Sequence, residues 1–328
     1  MPVINKPIQY FSVATWNGSG SATATIDFGM QPDLVVIKPR NNVAANANAW
    51  VVVDSTRGTS ARLSFNNTAP EWTESNNVIS FNSTGITVGD SHNVNKNTTS
   101  QYVGYGWKKG ATQGFDIVTA SLSGTSPVTV NHSLGVAPKL IIGKVRDVAS
   151  TNWYVYSASI AASDYLLLNS TAAKATSSNI WDVAPTSAVF TVGNPQNGWA
   201  GGNAGSKAYV FYLFSEVAGF SQFGSYTGNG STDGPFVFLG FRPAFVMIKK
   251  TSATDDWVIF DTARDTFNVV NDWLFPNLSN AELTTAGSPD VLSNGFKLRS
   301  TSGATNASGA TFIYAAFAEH PFKNALAR

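Results

Sequence analysis

The stretch "GFRPAFVMIKK", Gly240 to Lys250, places a glycine and a proline three residues apart, directly before an apolar run that ends in lysine. The same arrangement occurs twice upstream, as "GVAPKLIIGK" from Gly135 to Lys144 and "GMQPDLVVIK" from Gly29 to Lys38. The three prolines stand 106 and then 105 residues apart. This spacing predicts three repeats of about 105 residues.

Two further features recur in step with this proline corner. In each repeat a tryptophan begins a second apolar run, and an aromatic-rich run comes last. The runs are "WVVVD" from Trp50, "WYVY" from Trp153 and "WVIFD" from Trp257, then "YVGYGW" from Tyr102, "YVFYLF" from Tyr209 and "IYAAF" from Ile313. The chain turns small and polar near Gly110 and Gly219. We therefore predict domains at residues 1–110, 111–219 and 220–328, called repeats I, II and III.

The apolar runs are short, rich in Val, Ile, Phe, Tyr and Trp, and separated by clusters of Gly, Asn, Ser and Thr. This pattern is typical of strands and turns. It predicts an all-β fold of three tandem antiparallel β-sandwiches, jelly-roll-like in form. We expect Pro32, Pro138 and Pro243 at the first position of a strand, where a missing N–H removes no ladder bond.

Two recurring side-chain patterns have structural interpretations. Trp50, Trp153 and Trp257 occupy the same strand of each repeat, so we expect them in the core. The motif Asp-x-x-Arg, in "DSTR" from Asp54 and "DTAR" from Asp261, occurs in repeats I and III but not in repeat II. We expect it to form a local ion pair that fixes a turn.

Composition excludes several classes of partner. Charged residues make up 12% of the chain, against about 25% in ordinary soluble proteins, and the net charge is +1. Such a surface has no long-range field for phosphates, so we predict no nucleic-acid binding and no membrane insertion. Cysteine is absent, which excludes disulfides and thiolate metal sites. The N-terminus lacks the basic and apolar regions of a signal peptide.

The sequence offers no recognisable catalytic motif. Its three histidines, His92, His132 and His320, are scattered, and neither a Gly-x-Ser-x-Gly nor a His-Glu-x-x-His motif occurs. We predict that the protein is not an enzyme and has no catalytic residue, cofactor or metal site. A pair of aspartates from distant turns could still supply glycosidase chemistry, which leaves hydrolysis of a polysaccharide as an open alternative.

The segment before the last strand differs most between repeats, and loops on a rigid scaffold commonly carry recognition. In repeat II this segment is "NPQNGWAGGNAGSK" from Asn194. Because Trp199 has no counterpart in the other repeats, we expect it to be exposed and to stack on a sugar ring. A plain solvated loop is the alternative. The ligand-binding candidates are Trp199, Asn197, Asn203, Asn93 and Asn95.

Repeat III resembles a domain at the C-terminal ends of tailed-phage fibre and other virion proteins, many from cyanophages and marine phages. The blocks "YTGNG", "GFRPAFVMIK", "NGFKLR" and "YAAFAEHPFK" carry this resemblance. Repeat II is similar to the companion unit in the same proteins, through "NHSLGVAPKLIIGK", "NWYVY" and "LLLNSTAA". Repeat I joins them by the internal alignment alone. The resemblance implies a virion location, with assembly in the host cytoplasm.

We therefore expect a non-enzymatic virion protein of tail-fibre or knob type, which presents loops for binding to the host surface, to glycan above all. The alternatives are a capsid or tail decoration protein and, less favoured, a polysaccharide depolymerase. Expected partners are other virion proteins and a host surface polysaccharide or receptor. A homo-oligomer, with a trimer favoured, is expected because aromatic strands such as "YVFYLF" would be aggregation-prone at a sheet edge.

Overall fold

A computed structural model of the chain describes residues 4, 6–41, 48–284 and 287–321. These residues form an all-β fold of several antiparallel sheets. The end of the "YAAFAEHPFK" block, from residue 322, lies outside the described residues.

The main strands coincide with the apolar runs of the sequence. Repeat I contains a 3₁₀ turn at Pro7–Gln9, then β1 (Phe11–Asn17), β2 (Ala24–Asp27), β3 (Leu34–Pro39), β4 (Val51–Asp54), β5 (Gly58–Leu63), β6 (Trp72–Thr73), β7 (Val78–Asn82), β8 (Gly85–Val88) and β9 (Gln101–Trp107). Repeat II contains β10 (Phe115–Leu122), β11 (Val128–Asn131), β12 (Leu140–Val145), β13 (Trp153–Ser157), β14 (Asp164–Leu167), β15 (Ala175–Thr176), β16 (Val189–Val192), a π-helical turn at Pro195–Trp199 and β17 (Lys207–Phe214). Repeat III contains β18 (Ser221–Thr227), β19 (Phe236–Phe238), β20 (Phe241–Lys250), β21 (Trp257–Asp261), β22 (Asp290–Leu292), β23 (Gly295–Lys297), α1 (Gly303–Asn306) and β24 (Thr311–Pro321).

Each repeat contributes one larger and one smaller sheet. The larger sheets are ordered β1-β9-β3-β4-β5-β6, β10-β17-β12-β13-β14-β15 and β18-β24-β20-β21. The first strand, the last strand, the proline-corner strand and the tryptophan strand are thus hydrogen-bonded in the same order in every repeat. The smaller sheets are β2-β8-β7, β11-β16 and β19-β23-β22.

This order corrects the expectation that the last, aromatic strand of each repeat lies at a sheet edge. Strand β17, which carries "YVFYLF", pairs with β10 on one side and with β12 on the other. Its backbone is therefore paired on both sides within one chain, so protection of this strand gives no reason for oligomerisation. The homo-oligomer, with a trimer favoured, stays a prediction.

The proline corner has a backbone reason for its glycine. At Gly29, Gly135 and Gly240 the φ angles are 70°, 72° and 74°, in the left-handed region that favours glycine. Pro32 and Pro138 lie two residues before β3 and β12, slightly earlier than predicted. Pro243 lies inside β20, where the register with β24 shifts on both sides of it. The missing N–H thus falls at an irregularity of the ladder, as proline requires.

The apolar run after the corner is buried on both faces of its sheet, which explains why it does not alternate with polar residues. In β3, Val35 and Ile37 pack in a cluster with Ile86 of the smaller sheet. Leu34 and Val36 point the other way and join a cluster with residues from all three repeats. The three repeats therefore share one core, in addition to clusters that repeats I and II each have of their own.

Three aromatic rings mark the centre of the shared core. Trp107, Phe214 and Phe317 occupy the same position in the last strand of repeats I, II and III. Their ring centroids lie 6.1, 5.7 and 5.7 Å apart, which makes a nearly equilateral triangle. An apolar cavity of about 40 Å³ adjoins them. The repeats therefore close around a common axis.

The tryptophans that recur in each repeat join the repeats in a cycle. Trp50, Trp153 and Trp257 are buried, which confirms the core prediction, and each indole N–H donates to a carbonyl oxygen of another repeat. The bonds are Trp50 Nε1 to Phe275 O (3.0 Å), Trp153 Nε1 to Ser64 O (2.8 Å) and Trp257 Nε1 to Leu167 O (2.9 Å). Repeat I thus binds III, II binds I, and III binds II.

The lysine that ends each proline-corner run has the same role. Lys38 Nζ donates to Asn48 O at 2.7 Å in its own repeat and to Asn280 O at 2.8 Å in repeat III. Lys144 Nζ and Lys249 Nζ reach carbonyl oxygens of the preceding repeat at Thr68 (3.4 Å) and Thr171 (2.9 Å). The charged end of an apolar strand is therefore an inter-repeat contact.

Candidate functional site

Trp199, the leading candidate for ligand stacking, is buried, so its expected exposure is wrong. Only 1% of its surface is exposed, and its Nε1 donates to Ile180 O at 3.0 Å. Its ring lies over Gly143, where a Cβ atom would come within 2.9 Å of Trp199 Cη2. The corresponding residues of β3 and β20 are Ile37 and Ile248. A large ring in one repeat thus compensates for a glycine in that repeat.

The four asparagine candidates divide into two pairs. Asn197 and Asn203 are exposed beside Trp199, whereas Asn93 and Asn95 are buried in repeat I. Asn95 Oδ1 accepts from the Ser19 backbone N at 2.6 Å, so this residue fixes a turn. With Trp199 buried, Asn197 and Asn203 have no aromatic platform at that position.

The Asp-x-x-Arg motif forms the predicted ion pair and extends into the neighbouring repeat. Arg57 Nε lies 2.5 Å from Asp54 Oδ2, and its Nη1 lies 2.6 Å from Glu71 Oε2. In repeat II, Arg146 Nη2 contacts Glu71 Oε1 at 2.6 Å, and Tyr212 Oη donates to Asp54 Oδ2 at 2.8 Å. Burial raises the pKa of Tyr212 well above its ordinary value, so the phenol is a neutral donor.

A matching network joins repeats III and I. Arg264 contacts Asp261 at 2.5 Å and Glu282 at 2.7 Å. From repeat I, Arg40 contacts Glu282 at 2.9 Å and Tyr105 Oη donates to Asp261 Oδ2 at 2.8 Å. Because these carboxylates are neutralised by arginine across an interface, the network stabilises the assembly of repeats rather than offering a reactive group.

The interface between repeats II and III has lost this whole network. One backbone hydrogen bond is nevertheless present at both interfaces. Lys174 N donates to Thr251 O at 3.0 Å at the II/III interface, and Glu71 N donates to Arg146 O at 2.6 Å at the I/II interface. The side chains are small, apolar or reversed in charge. The corresponding residues are Ser157 for Asp54, Ile160 for Arg57, Lys174 for Glu71, Thr251 for Arg146 and Ala315 for Tyr212.

A cleft of about 410 Å³ opens at this interface, within the range of about 300–1,000 Å³ common for small-molecule sites. It is lined by hydroxyl groups, by apolar side chains and by an ion pair. The lining residues are Ser159, Ile160, Ala161, Asp164, Lys174, Ser225, Tyr226, Thr227, Thr251, Thr311, Phe312 and Ile313. We call it the II/III cleft.

Asp164 is the fixed polar group of the II/III cleft. Its side chain is only 4% exposed and accepts from Lys174 Nζ and Thr176 Oγ1, both at 2.5 Å. Burial acts to raise the pKa of Asp164, but the bonds from Lys174 and Thr176 hold it below its ordinary value. The cleft therefore presents a carboxylate and an ammonium of no net charge.

The I/II interface has a smaller cleft, of about 290 Å³. Its lining includes Thr56, Thr119 and His132, and Lys109 Nζ lies 3.1 Å from Asp116 Oδ1. Thr119 and Ser225 occupy the same register position in β10 and β18. The two clefts thus allow matched substitutions.

An exposed aromatic pair in β19 escaped the sequence reasoning. Phe236 and Phe238 are 45% and 59% exposed, and each ring lies against a glycine, at Gly295 and Gly240. The same register positions hold Thr25 and Asp27 in β2, and Thr129 and Asn131 in β11. Strict alternation in "FVF", on a strand with one buried face, was the available signal.

Among the residues that the structure describes, no three His, Asp or Glu side chains are grouped to hold a metal ion. Within the same part of the chain, no helix has the length and apolar character needed to cross a membrane.

A family model described as a domain of unknown function, DUF7483, matches residues 6–321. No curated protein matches the chain.

Proposed function

We propose that this chain, which belongs to the DUF7483 family, is a non-enzymatic phage virion protein of tail-fibre or knob type that binds a host-surface glycan. The sequence blocks of repeats II and III that resemble virion proteins support the virion location. The neutral, polar composition supports recognition by short-range contacts. The observation that carries the binding role is the II/III cleft, the larger of the two inter-repeat clefts described above.

The finer architecture belongs to the same proposal. We interpret residues 1–110, 111–219 and 220–328 as three tandem antiparallel β-sandwich units, jelly-roll-like in form. The recurring strand order supports this interpretation. In repeat II, a hydrophobic cluster that includes Ile141 of the larger sheet and Phe190 of the smaller sheet supports a two-layer unit.

A capsid or tail decoration protein is the second candidate. The shared core and the two inter-repeat ion networks favour it, because a protein that stabilises a particle must itself resist unfolding. A polysaccharide depolymerase is a weaker alternative, since the buried Asp54 and Asp261 and the partly buried Glu71 and Glu282 are all held by arginine.

Binding to host cells tests the proposal. The purified, fluorescently labelled chain is titrated onto cells of the phage host, onto a resistant strain, and onto host cells whose sugars have been oxidised by periodate. We expect saturable binding to untreated host cells alone. Absence of binding would favour the decoration protein, and release of reducing ends from extracted polysaccharide would favour the depolymerase.

A further inference from the structure

We propose that the II/III cleft is the saccharide-binding site of this protein and that it takes a neutral sugar unit. This inference rests on the proposed function, since it names the site and ligand class of the same glycan recognition. The cleft lies at the interface between repeats II and III, and none of its lining residues belongs to the "NPQNGWAGGNAGSK" loop.

The first argument is the contrast between equivalent interfaces. At the I/II interface, Arg57, Glu71 and Arg146 form a continuous chain of contacts of 2.6 Å. At the II/III interface, Ile160 and Thr251 replace the two arginines with shorter side chains. The space is thereby opened while the backbone bond from Lys174 N to Thr251 O keeps the repeats together. The cleft that results, about 410 Å³, is larger than the cleft of about 290 Å³ at the I/II interface.

The second argument is the chemistry of the lining. Ser159, Ser225 and Thr227 bring hydroxyl groups that can both donate and accept, as sugar hydroxyls do. Asp164 is a fixed acceptor and Lys174, whose side chain is 41% exposed, is a donor at the mouth. Because the two charges cancel, an anionic sugar gains no net attraction. The lining therefore fits a neutral polyhydroxyl ligand.

The third argument is a held aromatic surface. Tyr226 lines the cleft, stacks on Phe312 with ring centroids 5.0 Å apart, and donates from its Oη to Thr305 O at 2.6 Å. The ring is therefore fixed before any ligand arrives, which reduces the entropy lost on binding. Together with Ile160, it offers an apolar surface to the C–H face of a sugar.

A matched pair of substitutions tests the site. Ser225→Trp fills the II/III cleft from an exposed strand position, and Thr119→Trp places the same ring at the equivalent exposed position of the I/II cleft. Both variants and the parent are applied to a microarray of neutral and acidic bacterial oligosaccharides, after circular dichroism has verified folding. We expect Ser225→Trp to weaken binding to neutral glycans at least about tenfold and Thr119→Trp to leave it within about twofold.

Two further variants locate the site independently. Asp164→Asn removes the fixed charge and should weaken binding, while the double variant Phe236→Ala, Phe238→Ala should bind as the parent does. Parent-like binding by a folded Ser225→Trp variant, loss of binding in the double phenylalanine variant, or binding of acidic glycans alone would each overturn the proposal. If the parent binds host cells but no glycan, the site assignment fails and the host-binding function stands. If it binds neither, both fail.

Discussion

Replacing Trp199 by alanine should destabilise the protein strongly, although the residue lies in a glycine- and asparagine-rich loop. Its ring packs within 4.7 Å of Tyr154, 4.9 Å of Trp181 and 5.6 Å of Phe211, measured between centroids. Truncation of a buried tryptophan to alanine costs about 3–5 kcal/mol, since the cavity above Gly143 cannot close. The carbonyl oxygen of Ile180 also loses its indole donor. We therefore expect the free energy of unfolding to fall by about 3–5 kcal/mol.

Urea denaturation followed by far-ultraviolet circular dichroism measures this loss. Phe267→Ala is the matched control, because that aromatic side chain is 80% exposed and its removal should change stability by no more than about 0.5 kcal/mol. Trp199→Phe should fall between the two, which keeps the test informative if the alanine variant does not fold. A Trp199→Ala variant that loses less than about 1 kcal/mol would refute the buried position of this ring.

Two other predictions concern the contacts between repeats, and a third concerns the oligomeric state. Tyr212→Phe and Tyr105→Phe each remove a hydrogen bond to a buried carboxylate, so each should lower the free energy of unfolding by about 1.5–3 kcal/mol; equal stability of parent and variants in urea would contradict the network. Burial lowers the pKa of Lys38 and of Lys144 from 10.5 to about 7. Because these two lysines bind more protons in the unfolded chain than in the folded chain above about pH 7, stability should rise between about pH 7 and 9. At higher pH, tyrosines such as Tyr212, whose pKa burial raises, act in the opposite direction. The rise should be smaller in Lys144→Met. Denaturant midpoints measured at intervals of pH test this prediction, and a parent stability curve that is flat or falls across the window would contradict it. The homo-oligomer, with a trimer favoured, is checked by light scattering on the purified chain, where a monomer at all concentrations would count against it.

The positions of the main strands of the larger sheets could be predicted because the sequence signals for these strands are local. Proline, glycine and tryptophan at a fixed spacing identify the same strands in each repeat, and a glycine at positive φ is required at each corner. The contacts between repeats could not be predicted in this way, since an internal alignment superposes the repeats without giving their arrangement in space. One clue was present: Asp-x-x-Arg is missing from repeat II, and the partner tyrosine is missing from repeat III. Both losses fall on one interface.

The expected exposure of Trp199 was wrong for a definite physical reason. Trp199 was expected to be exposed because the other repeats have no counterpart to it. Gly143, however, is also unique to repeat II. A ring and the space that it fills change together, because interiors are close-packed. The II/III cleft leaves no signal in any one segment, since its lining comes from residues 159–174 of repeat II and from three separate segments of repeat III between 225 and 313.

The location of the chain in purified phage particles tests the central claim most directly. Immunogold labelling with antibodies against the chain, followed by a cryo-electron microscopy map of the labelled region, gives that location. We expect the chain at the distal part of a tail fibre or knob, with the II/III cleft facing outward. Particles that are infectious but lack the chain would contradict a virion role, and labelling over the capsid surface would contradict host attachment in favour of decoration.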